Sequence, residues 1–218
     1  MLKHSTRIIL KDYGITLSLA IAIGFFIRTF LIEAYQIPNF SMKPTLIEGD
    51  TVFAVKWPLW LKLGHSPERG DVVIYTQKIL TSFSQTHSVK RILGLEKDTI
   101  TIKEGTLFLN NKPLDLSQMS HSFQENLPNG RTYETSREPP FLDDFGPEKI
   151  PPGFVFVLND FRSKSTLSGN QVPWAITPLS SIQGKVLWIW LSLEKQSHLK
   201  GSSWFPQFRF KRMFQRIQ

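Results

Sequence analysis

Twenty consecutive residues, Tyr13 to Ile32 (YGITLSLAIAIGFFIRTFLI), contain a single charge, Arg28. As a helix this stretch rises about 30 Å, the hydrocarbon thickness of a bilayer. It lacks the amphipathic stripe of a helix packed on a soluble core. Arg28 lies near one end, where a long side chain reaches the interface. Lys3, Arg7 and Lys11 precede the run against Asp12 alone, and this basic flank predicts a cytoplasmic N-terminus. A cleavable signal peptide has a similar start, but the next residues read IEAYQIP, and I-E-A is a poor small-x-small cleavage site. The expectation is therefore a single-pass anchor over 13–33 in the plasma (inner) membrane. Residues 1–12 would be cytoplasmic and the remainder extracytoplasmic.

The net charge of +8 first suggests nucleic acid, yet residues 1–12 carry +2 of it and residues 200–218 carry +5. The 187 residues between net only +1, whereas a nucleic-acid-binding body needs a basic patch of its own. Excess charge at the two ends suits anionic lipid, so the bilayer is the expected partner and nucleic acid is not. There is no cysteine, which removes disulfides, a thiol nucleophile and cysteine-ligated zinc. The five histidines show no zinc-type spacing, so neither a metal nor another cofactor is expected.

After the anchor the pattern is that of strands and turns, over 34–199. Asp50–Lys56 alternates between polar and apolar, and Asp71–Thr76 is β-branched after Gly70. Val89–Leu93 is short and apolar. Thr99–Lys103 and Thr106–Leu109 flank Glu104-Gly105, a hairpin signal, and Asn110-Asn111 marks another turn. Phe154–Leu158 and Val186–Leu193 are further strands. Frequent turns and no helical period predict a mainly β, antiparallel domain. Residues 115–150 are polar and weakly patterned, and read as an inserted surface loop or subdomain. The tail 200–218, ending FRFKRMFQRIQ, reads either as a frayed end or as a basic, membrane-proximal segment.

Ser41 lies just beyond the membrane in QIPNFSMKPTLIE, a Pro-bounded irregular stretch. His87 is the one histidine near these segments, which leaves a Ser–His arrangement open, although nothing in the sequence supports one; a serine without histidine can instead be activated by a neutral lysine. Lysine's pKa of about 10.4 makes it a poor base unless apolar burial disfavours the ammonium. Lys90, in SVKRILG, is in an apolar strand of the required kind, although the pattern alone favours a solvent-facing lysine. Along that strand Lys90, Ile92 and Gly94 should face one side, and Val89, Arg91 and Leu93 the other.

Five ordered blocks together resemble the bacterial type I signal peptidases. They are the anchor running into RTFLIEAYQIP, the nucleophile box SMKPTL, then RGDVVIY, then VKRILGL with the hairpin ITIKEGTLFLNNKPL behind it, and PPGFVFVLNDFRSKSTLS. The resemblance covers about residues 20–110 and 150–193, and identifies a divergent member. It implies an extracytoplasmic, signal-peptidase-like β catalytic domain that removes signal peptides from pre-proteins after A-x-A-like sites. By position, Ser41 is the nucleophile and Lys90 the base. Ser41's backbone N–H helps form the oxyanion hole and Ser165 orients the lysine; Asn39, where many relatives have a serine that gives the second oxyanion donor, is expected to donate through its side-chain amide instead. Ile37, Pro38, Met42, Leu46 and Val89 line the substrate pockets, while Asp160, Arg162 and Ser168 support the site.

The chain departs from the family pattern at Asn39, where relatives have Ser or Gly, and in the fifth block. There Asn159, Phe161, Leu167 and Gly169 replace Gly, Asn, Asp and Arg. These departures leave two alternatives open, a conjugative-transfer-type processing peptidase and a non-catalytic membrane-tethered β domain. A LexA-like self-cleaving protein is disfavoured by the apolar span and the absence of a helix-turn-helix pattern. Nothing in the sequence fixes the oligomeric state.

Overall fold

The computed structural model describes residues 2–56, 65–78, 85–120, 122–163, 172–194 and 207–217. Helix α1 runs Leu2–Phe30, and its Tyr13–Phe30 stretch is apolar and long enough to cross a membrane, with none of it buried against the rest of the chain. The helix ends at Phe30, before the expected boundary at 33. Residues Ile32 and Glu33 already pair with Val55 and Ala54 of a neighbouring strand. A β-branched residue followed by alternating side chains favours extended backbone over a further helical turn.

The strands, in order, are β1 (Ile32–Gln36), β2 (Asp50–Lys56), β3 (Val72–Lys78), β4 (Gln85–Gly94), β5 (Thr99–Lys103), β6 (Thr106–Leu109), β7 (Lys112–Pro113) and β8 (Asp115–Gln118). Next come β9 (Phe123–Asn126), β10 (Thr132–Arg137), β11 (Phe145–Lys149), β12 (Phe154–Leu158), β13 (Phe161–Arg162), β14 (Trp174–Pro178), β15 (Ile182–Glu194) and β16 (Gln207–Phe208). The largest sheet has eight strands in the order β1-β2-β15-β3-β4-β12-β14, with β16 added to β15. Two four-stranded sheets, β13-β10-β9-β8 and β11-β5-β6-β7, complete the domain. Among the described residues every strand pairing is antiparallel except β10 with β13. The fold is thus mainly antiparallel β behind one apolar helix.

Local chemistry explains the turns. Glu104 and Gly105 both have positive φ, as do Asn110 and Asn111, so each pair makes the tight turn that suits the right-handed twist of a hairpin. Residues 115–150 contain strands β8 to β11. The tail also carries structure, since Phe208 and Gln207 pair with Leu193 and Glu194.

Three apolar clusters form the core. Leu93, Ile100, Ile102, Phe156 and Leu158 anchor the first, between β4, β12 and the β5–β6 hairpin. Ile37, Met42, Leu46, Val52 and Ile74 form the second, beneath the segment that joins β1 to β2. Val73, Tyr75, Ile92 and Val157 form the third. Strand β4 runs between the clusters, so both of its faces are covered. That coverage is what decides the setting of Lys90.

Candidate active site

Ser41 sits in the β1–β2 connection. The Lys43 N–H donates to Phe40 O at 3.0 Å and the Leu46 N–H to Met42 O at 2.9 Å, folding the segment into consecutive turns. Met42 and Leu46 are fully buried in the second cluster and fasten the loop from below. Ser41 itself stays partly exposed. Its N–H donates to Asn39 Oδ1 at 3.1 Å, and its carbonyl accepts from the Phe161 N–H at 3.1 Å. Among the described residues its hydroxyl has no hydrogen-bond partner.

Lys90 is only 2% exposed. Its Nζ donates to Asn159 Oδ1 at 2.6 Å, Val172 O at 2.7 Å and Pro173 O at 3.2 Å. All three acceptors are uncharged, and no carboxylate pairs with it among the described residues. The three acceptors favour the ammonium, but burial outweighs them and lowers its pKa from an ordinary 10.5 to about 7. The solvent-facing alternative is excluded for this lysine.

The segment 159–162 connects the two. Phe161 holds the Ser41 carbonyl while Asn159, two residues earlier, holds Lys90 Nζ. Between them Asp160, fully buried, receives Arg91 Nε at 2.9 Å and Arg91 Nη2 at 2.7 Å in a two-pronged pair. Thr45 Oγ1 donates to the same carboxylate at 2.5 Å, and Arg91 Nη1 donates to Gly70 O at 2.7 Å. One guanidinium thus fastens the Ser41 loop, the turn before β3 and the 159–162 segment to β4. Ser41 and Lys90 are carried by the same scaffold, but no direct hydrogen bond joins them.

Ile37, Met42 and Leu46 share one cluster, and Val89 packs against it, whereas Pro38 is exposed at its edge. Asp160 takes a supporting position. Arg162 turns away to Glu125 Oε2 at 2.6 Å and to the Tyr133 hydroxyl at 3.0 Å. Glu125 is completely buried. Burial alone would raise its pKa, but Arg162, Tyr133 and Arg137 together hold it below the usual carboxylate range. Tyr133 lies under the Arg91 guanidinium, 4.2 Å from ring centre to Cζ, so this network backs the Asp160 pair. Ser165 and Ser168 lie outside the described residues.

Sequence reasoning missed Arg91, Thr45 and Asn159. A signal existed for Arg91, which is a second cation inside an apolar strand, beside a candidate base and with a buried-type Asp available in the fifth block. No signal existed for Asn159, because its role depends on a contact 69 residues away in the chain.

The chain thus presents a mainly antiparallel β domain behind one apolar helix, with a buried lysine and a serine-bearing loop both held by residues 159–162. The family description "Signal peptidase, peptidase S26" matches residues 10–191. The chain belongs to this signal peptidase family and is a serine peptidase. It is 34% identical to signal peptidase I of Bacillus licheniformis, over 70% of this chain and 74% of that protein. It is 24% identical to signal peptidase I of Rickettsia typhi, over 95% of this chain and 94% of that protein. A solved signal peptidase I from Enterococcus faecalis V583 aligns at 19% identity and a TM-score of 0.34, covering 56% of this chain and 97% of that one.

Proposed function

We propose that this chain is a membrane-bound Ser–Lys endopeptidase that removes signal peptides after small-x-small, A-x-A-like sites. The observation that carries this reading is the near-complete burial of Lys90 among uncharged acceptors, on the segment that also grips Ser41. Catalytic hydrogen bonds are often loose before substrate arrives, so the missing Ser41–Lys90 bond is compatible with it.

Neutral Lys90 Nζ accepts the Ser41 hydroxyl proton, and Oγ attacks the scissile carbonyl carbon. The developing oxyanion displaces Asn39 Oδ1 from the Ser41 N–H, and the Asn39 amide turns to offer its Nδ2–H as the second donor. Lys90, now ammonium, protonates the leaving amine as the peptide bond breaks. A water, deprotonated by Lys90, then hydrolyses the acyl-enzyme and restores the Ser41 hydroxyl. In this reading the buried cluster of Ile37, Met42 and Leu46 packs beneath the Ser41 loop, and half-buried Val89 and exposed Pro38 are the members of the expected set that can meet a substrate's small side chains.

Localisation accords with the same reading. The apolar helix supports attachment to a bilayer, and the basic N-terminal flank supports a cytoplasmic N-terminus with the catalytic domain on the opposite side. Phe40, beside the nucleophile, and Trp190, Phe208, Phe210 and Phe214 are exposed large apolar side chains that suit an interface.

The test is cleavage of a pre-protein with an A-x-A site by wild type, Ser41→Ala and Lys90→Ala in liposomes. Cleavage after the small residue by wild type, and by neither folded variant, is expected. A wild type that cuts no such substrate, or a Lys90→Ala variant that keeps full activity, would defeat the proposal.

A further inference from the structure

Residues 207–217 lie beyond residue 191, where the stretch shared with the family ends. They lie along β15. Beyond the β16 pairing, the Phe214 N–H donates to Ile189 O at 2.6 Å, the Ile189 N–H to Gln215 O at 2.9 Å and the Ile217 N–H to Leu187 O at 2.8 Å. This strap presents two arginines to the loop that carries Ser41.

Arg212 Nη2 donates to Asp50 Oδ2 at 2.7 Å and to Thr45 O at 2.9 Å. Arg209 Nη2 donates to Glu48 O at 2.6 Å and Leu193 O at 2.7 Å, and its Nε to Ser192 Oγ at 2.9 Å. Asp50 is fully buried at the end of the loop and also receives Ser192 Oγ at 2.6 Å and the Ile47 N–H at 2.9 Å. Packing there is tight. Gly49 has φ +89°, and a Cβ on it would stand 2.0 Å from Leu193 O and 2.9 Å from Arg209 Nη2.

Thr45, four residues after Ser41, is therefore held from two sides. Its hydroxyl binds Asp160, on the Lys90 side, and its carbonyl binds Arg212, on the strap. A buried carboxylate and a loop carbonyl both depend on one guanidinium, and losing it leaves each short of a partner. Met42 and Leu46 would still be held by the core, so the slack would fall on Thr45 and on residues 47–50.

We propose that Arg212, assisted by Arg209, is a positioning residue through which the C-terminal strap braces the nucleophile loop and fixes Ser41 against Lys90. The proposal rests on Ser41 being the nucleophile, and its test separates the two ideas. The full chain in detergent micelles is compared as wild type, Arg212→Gln and Arg212→Lys. Hydrogen–deuterium exchange is read at the Thr45–Asp50 and Phe154–Leu158 amides, and kcat and KM are read on an A-x-A peptide.

The expected result for Arg212→Gln is exchange at least about tenfold faster at Thr45–Asp50, with Phe154–Leu158 unchanged. The kcat should fall about 10- to 100-fold with KM nearly constant, the pattern of lost alignment rather than lost binding. Arg212→Lys should recover only part of both, because a point charge does not span two acceptors as a planar fork does. Wild-type exchange at Thr45–Asp50 in Arg212→Gln overturns the proposal whether or not the protein cleaves the peptide. So does a full kcat in that variant when wild type is active. If Arg212→Gln unfolds, Arg212→Lys is judged on the same readouts, and wild-type behaviour there overturns the proposal. Failure of wild type to cleave counts against the Ser–Lys reading alone, since exchange still reports on the brace.

Discussion

The substitution Asn159→Asp probes the lysine most directly. At an ordinary pKa only about one lysine in 3,000 is neutral at pH 7, whereas at a pKa of about 7 half are neutral. That lowering amounts to roughly 5 kcal/mol against the ammonium, and burial supplies it. Asn159 Oδ1 lies 2.6 Å from Nζ, so an aspartate there places a carboxylate in direct contact. An opposite charge at such range raises the pKa by about 1–3 units. The neutral fraction at pH 7 then falls about five- to 500-fold, and kcat/KM should fall with it. The assay is kcat/KM on an A-x-A peptide from pH 5.5 to 10 for both proteins. Wild type should lose activity below about pH 7, as Lys90 charges. The variant should show the same plateau, reached one or more pH units higher. If the acidic limb does not move, or if the loss is equal at every pH, the assignment of Lys90 as base falls. Stability obeys the same linkage. The folded chain binds fewer protons than the unfolded chain between pH 7 and 10.5, so stability should rise with pH across that window, and the full penalty applies below it.

Three further outcomes are expected. Asn39→Ala should lower kcat about 100- to 1,000-fold with little change in KM, by removing an oxyanion donor, and a kcat within about threefold of wild type would rule out that role. Arg91→Met should cost about 3–5 kcal/mol in urea unfolding because it strands buried Asp160, and the double change Arg91→Met/Asp160→Leu should restore most of this; a single-variant cost below about 1 kcal/mol would contradict the clamp. Gly94→Ala should lose about 1–3 kcal/mol, seen as a lower Tm, since its Cβ would stand 2.4 Å from Ile150 Cδ1 and 2.8 Å from Ile100 Cδ1; an unchanged Tm would show that those side chains yield freely.

Local pattern reached some elements of this protein and not others. The alternation in DTVFAVK and the turn pairs Glu104-Gly105 and Asn110-Asn111 specify β2, β5 and β6 with the boundaries seen, because neighbours along the chain decide φ and side-chain facing. Residues 115–150 carry no such signal. Strand β9 reads FQEN, and the side chain it buries most deeply is Glu125, a charge made tolerable by Arg162 and Arg137 from elsewhere. The tail's inward contacts are likewise unmarked in the sequence. Its arginines look like solvent or lipid contacts in the sequence, yet Arg209 and Arg212 point inward to a carboxylate far earlier in the chain.

Hydropathy, turn chemistry and a spaced motif are properties of the chain taken in order. They suffice for the apolar span, for the β character of the domain behind it, and for Ser41 and Lys90 as the candidate pair. Folding alone makes Lys90 dry, brings Asn159 and two carbonyls rather than a carboxylate to its amine, and lets Arg91 and Arg212 tie the serine loop to distant segments. A lysine's pKa is set by its neighbours in space. Those neighbours come from β3, β12, Asn159, Val172 and Pro173, brought together only when the sheet assembles around β4.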